Sequence, residues 1–152
     1  MLSVITNLAY EVLGEEVGAT PDGRLANEPV CDSAGAVFGR DKEGSTALIR
    51  SVTRLDQIHA PGTLVFNIRF TKKMLADKES RDKVKALIKT YFAMGGMQIQ
   101  INVVDQETLA DAIEHPECHE NLIIRIGGYS EYFNRLSDKM KLTILERTAH
   151  EA

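Results

Sequence analysis

Cysteine is nearly absent from this chain: Cys31 and Cys118 are the only two in 152 residues. They share no metal-ligand spacing and are too few for a disulfide scaffold, so each reads as a free thiol and not as a ligand or nucleophile. There is no Gly-rich phosphate loop, and His115 and His119 flank a helix break as surface residues do. The sequence therefore predicts no bound metal or nucleotide. Basic charge is not in surplus either. The 18 Lys and Arg are dispersed among 22 Asp and Glu, for a net charge of -4, so no basic face is available to displace counterions from phosphate, and nucleic acid is excluded as the expected partner. No apolar run approaches the length of a membrane span, which leaves no membrane partner to expect. The apolar start Met1 to Leu8 lacks the positive charge and small-residue cleavage site of a signal peptide. A cytoplasmic protein is expected. Internal repeats, low-complexity tracts and interdomain linkers are missing as well.

What is present is an ordinary core-forming composition, 43% hydrophobic. A chain of this length fits one globular domain that buries roughly 68–70% of its unfolded surface. Met1, Ile5, Leu8 and Val12 fall at near-helical spacing with Gly14 as a stop, which predicts a short amphipathic helix over 1–13 within an N-terminal segment 1–17. Gly18 to Arg24 is a turn in which Pro21 presets one backbone angle and Asp22-Gly23 supplies the tolerant second half. Residues 27–44 are irregular and long for a structureless loop, as a binding loop or one packed on a partner would be.

Ser45 is expected to cap a helix bearing Leu48, Val52 and Leu55 on one face. Leu64 to Phe70 reads as a strand, and Arg81 to Phe92 as a helix with the stripe Val84, Leu87, Ile88 and Tyr91, ended by Met94-Gly95-Gly96. Met97 to Val104 is the clearest strand. Its Ile99, Ile101 and Val103 face one way and its Gln98, Gln100 and Asn102 the other. That amide ladder is either a solvated sheet face, the favoured reading, or the wall of a polar cavity. Asp105 is expected to cap a helix with Leu109, Ala112 and Ile113 on one side, broken at His115-Pro116. Ser137-Asp138 starts a last helix bearing Met140, Ile144 and Leu145 and ending near His150. Helices alternating with a few strands make this an α/β chain.

Between the last two helices, Leu122-Ile123-Ile124 reads as a buried strand that runs into Arg125-Ile126-Gly127-Gly128-Tyr129-Ser130. Adjacent glycines adopt backbone angles denied to other residues and let another molecule approach the main chain closely. Taken alone they are most simply a turn. The six residues nevertheless resemble the signature of the glycyl radical enzymes: Arg, an aliphatic residue, a small residue, Gly, a ring such as Tyr, then Ser or Ala. Further matches fall in the family's order. They are Ala19-Thr20-Pro21-Asp22-Gly23-Arg24, the loop Gly39-Arg40-Asp41-Lys42 to Gly44 with Thr46-Ala47, Gly95-Gly96 with Gln98, Gln100, Asn102 and Val103, then His115-Pro116-Glu117 and Glu146-Arg147-Thr148. Pro-Asp-Gly-Arg together with Gly-Tyr-Ser is closer to the eliminase and decarboxylase branches than to pyruvate formate-lyase, whose ending reads Gly-Tyr-Ala.

The resemblance implies a partial-barrel portion of that enzyme fold: a few strands with flanking helices, ending in a radical loop and a terminal helix. One glycyl radical domain over 1–152 would then comprise the N-terminal helix segment 1–17, the turn and Gly-rich loop 18–44, the helices and strands of 45–120, and the radical loop and terminal helix of 121–152. It also implies that Gly128 holds a protein-derived radical, with no other cofactor bound. Glycine suits this, because its α-carbon radical is stabilised jointly by the amide nitrogen and the carbonyl once the centre flattens, and a Cβ would resist flattening. In the family a radical S-adenosylmethionine activase with an iron-sulfur cluster removes the hydrogen, and Arg125, Gly127, Tyr129 and Ser130 are the positions by which it would recognise the loop. Oxygen cleaves the activated backbone at that glycine.

The departures are as informative. Family members pass the radical to a cysteine in a Gly-Cys-x-Glu loop of a much longer chain. No Gly-Cys occurs here, and neither Cys31 nor Cys118 matches that position. Gly35-Ala36 and Gly44-Ser45 stand where the family often has Ser-Pro and Gly-Pro. The resemblance thus implies a radical-bearing unit that is not a complete enzyme by itself, similar to a stand-alone glycyl radical cofactor that replaces a damaged segment, or to the small subunit of a split enzyme. Its partners would be the activase and a large chain carrying the catalytic cysteine. The competing readings are a non-catalytic interaction module and a piece of a longer enzyme.

Overall fold

A computed structural model describes residues 9–31, 33–37, 39–60, 64–126 and 129–146. In chain order these form α1 (Tyr10–Glu16), α2 (Gly44–Val52), β1 (Asn67–Phe70), α3 (Lys78–Ala93), β2 (Gln100–Val103), α4 (Gln106–Glu114), β3 (Ile123–Ile126), β4 (Tyr129–Tyr132) and α5 (Asp138–Glu146), with short 3-10 turns between them. The strands make two two-stranded sheets. β1 and β2 pair in parallel, Asn67 opposite Gln100 and Phe70 opposite Val103. β3 and β4 pair antiparallel, Ile123 opposite Tyr132 and Ile126 opposite Tyr129. The described strands close no barrel, which agrees with the expected partial-barrel architecture.

Two apolar clusters follow from the periodicities. The first packs Leu48, Ile49 and Val52 of α2 and Val84 and Tyr91 of α3 against Phe66, Ile68 and Phe70, with Ile99 and Ile101 at its edge. The second joins Leu109 and Ala112 of α4 and Met140 and Ile144 of α5 to Ile124, Ile126 and Phe133. Buried Arg69 spans the two, its Nη1 donating to the Ile144 carbonyl at 2.9 Å.

Several expected boundaries change. Residues 1–8 lie outside the described set, and α1 runs through Gly14 instead of stopping there. Val12, expected on the apolar face, is 61% exposed, and Tyr10 is the residue that is fully buried. Gly14 is in the helix because the chain at 28–29 crosses it: a Cβ would strike the Glu28 carbonyl and come within 2.7 Å of Pro29 Cα. α2 begins at Gly44, whose φ of +82° turns the chain into the helix, so Ser45 is a buried first-turn residue and not the cap; Leu55 lies beyond the helix and is exposed.

α3 starts at Lys78, three residues before the expected Arg81, because Asp77 caps it by accepting from the Ser80 N–H at 2.9 Å. Its end is as expected, with Gly95 at φ +92° and the Gly95 and Gly96 N–H groups donating back to the Phe92 and Tyr91 carbonyls. Asp105 occupies the N-cap position of α4, as expected, but its side chain makes no capping bond. Its carboxylate accepts instead from the Lys72 N–H at 3.1 Å and pairs with Lys72 Nζ at 2.9 Å. Both long strands shorten to four residues, and the run 122–124 is not uniformly buried, Ile123 being half exposed. The expected helix end near His150 falls outside the described residues; α5 is described to Glu146.

Candidate functional site

The glycine pair is framed on both sides. β3 alternates exposed and buried, so that Ile124 and Ile126 plug into the second cluster while the side chain of Arg125 faces outward. β4 returns along it with Ser130 exposed opposite Arg125. Ile126 pairs directly with Tyr129, and Gly127 and Gly128 stand between them in the sequence. Those two residues lie outside the described set. After β4, Phe133 is buried and its N–H donates to the Leu122 carbonyl at 2.8 Å, closing the ladder at the far end from the glycines. The Arg135 guanidinium lies 4.8 Å from the centre of the Tyr132 ring, a cation–π contact that braces this end further.

The amides of β2 are not a solvated face, and here the structure corrects the favoured reading. Alternation puts Ile99 and Ile101 into the first cluster, which turns Gln98, Gln100 and Asn102 to the opposite side with Asn67 and Arg69 of β1. That side is interior: Gln100 and Arg69 are both less than a tenth exposed. The amides there complete backbone ladders. Gln98 Oε1 accepts from the Phe66 N–H at 2.9 Å, next to β1, and Asn102 Oδ1 accepts from the Arg125 N–H at 3.2 Å, in β3. β2 thereby brings the family-like amide strand and the glycine hairpin together. Among the described residues, neither amide atom of Gln100 finds a hydrogen-bond partner.

What sequence reading passed over is the burial of Arg24, named there only within a turn and the family-like Pro-Asp-Gly-Arg run. The Pro21-Asp22-Gly23-Arg24 segment is not a simple surface turn, because Arg24 is 1% exposed. Its guanidinium donates to the carbonyls of Val17 (3.0 Å), Leu25 (3.1 Å), Glu28 (2.6 Å) and Gly18. A planar fork with five donors can serve carbonyls arriving from several directions, which a lysine cannot. Gly23, at φ +95°, lets the chain fold over it and offers its own carbonyl to Arg40. Thus Arg24 and Arg40 knit segments 17–28 and 40 into one loop assembly. Gln57 was also passed over. Buried between α2 and α3, it donates to the Val52 carbonyl at 3.2 Å and accepts from the Met97 N–H at 2.8 Å. Tyr91 lies against it, donating to the Gln98 carbonyl at 2.8 Å, and burial pushes its phenol above the usual range. For Gln57 the signal was a polar residue just beyond the apolar stripe of α2, which carries no direction.

Cys31 Sγ lies 3.4 Å from the Ser33 carbonyl, and Cys118 is exposed next to Glu117. His119 Nε2 meets Asp111 Oδ2 at 2.6 Å on the flank of α4. Among the described residues no three His, Cys, Asp or Glu converge as metal ligands, and no helix is long and apolar enough to cross a membrane.

Comparison with known proteins agrees with this frame. The family described as "Glycine radical" matches residues 30–134, which contain both strands of the hairpin and the amide strand. The trans-4-hydroxy-L-proline dehydratase of Clostridioides difficile is 38% identical over 147 residues, 97% of this chain and 18% of that protein. Among solved structures, one of 1,2-propanediol dehydration in Roseburia inulinivorans superposes with a TM-score of 0.89 at 42% identity over 93% of this chain and 18% of that one. The glycerol-bound form of the B12-independent glycerol dehydratase from Clostridium butyricum superposes with a TM-score of 0.94 at 33% identity, over 99% of this chain and 19% of that one. The chain therefore spans about a fifth of the length of the relatives it matches. With more than half of its residues under the family match, and the fold shared, the chain belongs to the glycyl radical family.

Proposed function

We propose that this chain carries a glycyl radical at Gly128 and supplies it to a larger glycyl radical enzyme chain, as a replacement part or as the small subunit of a split enzyme of the eliminase or decarboxylase type. The observation that carries the reading is the antiparallel pair β3–β4, which leaves two residues between Ile126 and Tyr129 and assigns both to glycine, inside the family match. Activation would be by a radical S-adenosylmethionine enzyme that brings its own iron-sulfur cluster. Arg125 and Ser130, exposed on neighbouring positions of the two strands, together with Gly127 and Tyr129, form the recognition stretch. The receiving thiol would belong to the large chain, since no Gly-Cys occurs here. A cytoplasmic setting and anaerobic metabolism follow from this reading, and the substrate would be chosen by the large chain.

The test is anaerobic incubation with a cognate activase, S-adenosylmethionine and reductant. A doublet electron paramagnetic resonance signal is expected from the natural sequence and not from Gly128→Ala, and turnover should appear when the large chain is added. Binding to the large chain with no radical under a verified activase would establish the second reading, a non-catalytic interaction module. Against that module stands the retention of Arg125, Gly128, Tyr129 and Ser130 together.

A further inference from the structure

β2 carries carboxamides where a sheet would ordinarily carry a neighbouring strand. In an antiparallel pair, residues alternate between those that exchange both backbone bonds and those whose N–H and C=O point away from the partner. With two residues in the connection, Ile126 and Tyr129 take the bonded role and Arg125 and Ser130 the outward one, so the Arg125 N–H is turned off the β3–β4 ladder. It is met by Asn102 Oδ1 at 3.2 Å. Gln98, four residues earlier on the same face, treats the Phe66 N–H in the same way. Two amides of one extended run, Gln98 just before β2 and Asn102 within it, thus act as surrogate strand acceptors, one toward the residue that precedes β1 and one toward the hairpin, and the second holds the hairpin by its main chain. The Arg125 side chain, outward and exposed, takes no part in that bond.

We propose that Asn102 is a positioning residue for the glycine pair: its carboxamide oxygen anchors β3 one residue before Ile126 and so sets where the backbone beyond that strand is held. This rests on the reading of Gly128 as the radical site. The anchor needs an acceptor at the Oδ1 position and nothing else of Asn102. An isosteric acceptor should therefore replace it, and an apolar side chain of similar size should not. Asn102 is only partly buried, unlike Gln100 on the same face, so both changes fall at a position that water still reaches, and the Asp carboxylate lies beside Arg69.

The experiment uses the full chain as Asn102→Leu and Asn102→Asp. Amide hydrogen exchange at Arg125 is expected to accelerate roughly five- to tenfold in Asn102→Leu, the loss of about one hydrogen bond, while exchange at Ile68 in β1 stays unchanged. Asn102→Asp should leave Arg125 protected as in the natural sequence. After anaerobic activation, the doublet should decay several-fold faster in Asn102→Leu and at the natural rate in Asn102→Asp. Unchanged exchange and unchanged decay in Asn102→Leu would overturn the proposal, as would an Asp variant that behaves like Leu. Faster exchange at Ile68 as well would show general loosening and would equally overturn it. If the natural sequence yields no doublet, the radical reading fails, and the exchange rates still decide whether Asn102 holds the hairpin.

Discussion

Gly14 and Arg24 occupy the same loop assembly and show how single residues fix it. Replacing a helical glycine with alanine ordinarily gains about 1 kcal/mol of helix propensity. At Gly14 the added methyl would meet the backbone at Glu28 and Pro29, which cannot step aside as a side-chain tip could. Overpacking of that kind costs about 1–3 kcal/mol, so the clash outweighs the propensity gain. Gly14→Ala should lower the midpoint of thermal or urea unfolding, and an unchanged or raised midpoint would show that the 28–29 crossing yields easily. Arg24 acts from the other side of the same crossing, through the Glu28 carbonyl. Burial of this cation is tolerable because four carbonyl dipoles converge on it.

At the scale of elements, the link between the 3-10 turn at 72–75 and the start of α4 is a single carboxylate. Lys72 holds Asp105 below the usual carboxylate range, through its side-chain bond first and its N–H second. A depressed folded value means that the bridge contributes stability above the unfolded value of about 3.9 and loses it as pH falls through the folded value. Asp105→Asn should therefore be less stable than the natural sequence near neutrality, by under about 1 kcal/mol because the pair is partly exposed, and the two stabilities should converge once pH has fallen through the depressed folded value. Stabilities that stay parallel across acid titration would count against the bridge.

The elements themselves were legible where periodicity was long. The stripe of α3, the Gly95-Gly96 stop and the alternation of β2 all appear as expected. Caps were less legible, because Ser45, Asp77 and Asp105 are equally good capping residues and tertiary partners decide which of them does it. The amide face of β2 could not be assigned from sequence, since a polar alternate face looks the same whether water or a second cluster covers it. The hairpin was legible as a glycine turn after a strand, whereas β4 was hidden, its Tyr129-Ser130-Glu131-Tyr132 having no apolar alternation. The ordered motifs around it, and not the glycines alone, pointed to the family, and the match over residues 30–134 bears that out.

Across the whole molecule, the chain on the far side of the glycine pair is not a tail. β4 is registered along all four residues of β3, and Phe133, Leu136, Met140 and Ile144 are buried in the second cluster against Leu109, Ala112, Ile124 and Ile126. Each such side chain contributes roughly 1.5–3 kcal/mol by leaving water. Ile144 also accepts the bond from Arg69 of the other sheet. If the backbone were severed between Ile126 and Tyr129, the two polypeptides would remain clasped as a noncovalent pair. Native size-exclusion should then report an unaltered mass while a denaturing gel resolves two bands, and release of the piece beginning near Tyr129 under native conditions would refute this. A severed molecule of this kind keeps its outward shape, so under the proposed function it would compete with intact copies for the same large chain, and recovery from damage would be paced by exchange of whole molecules.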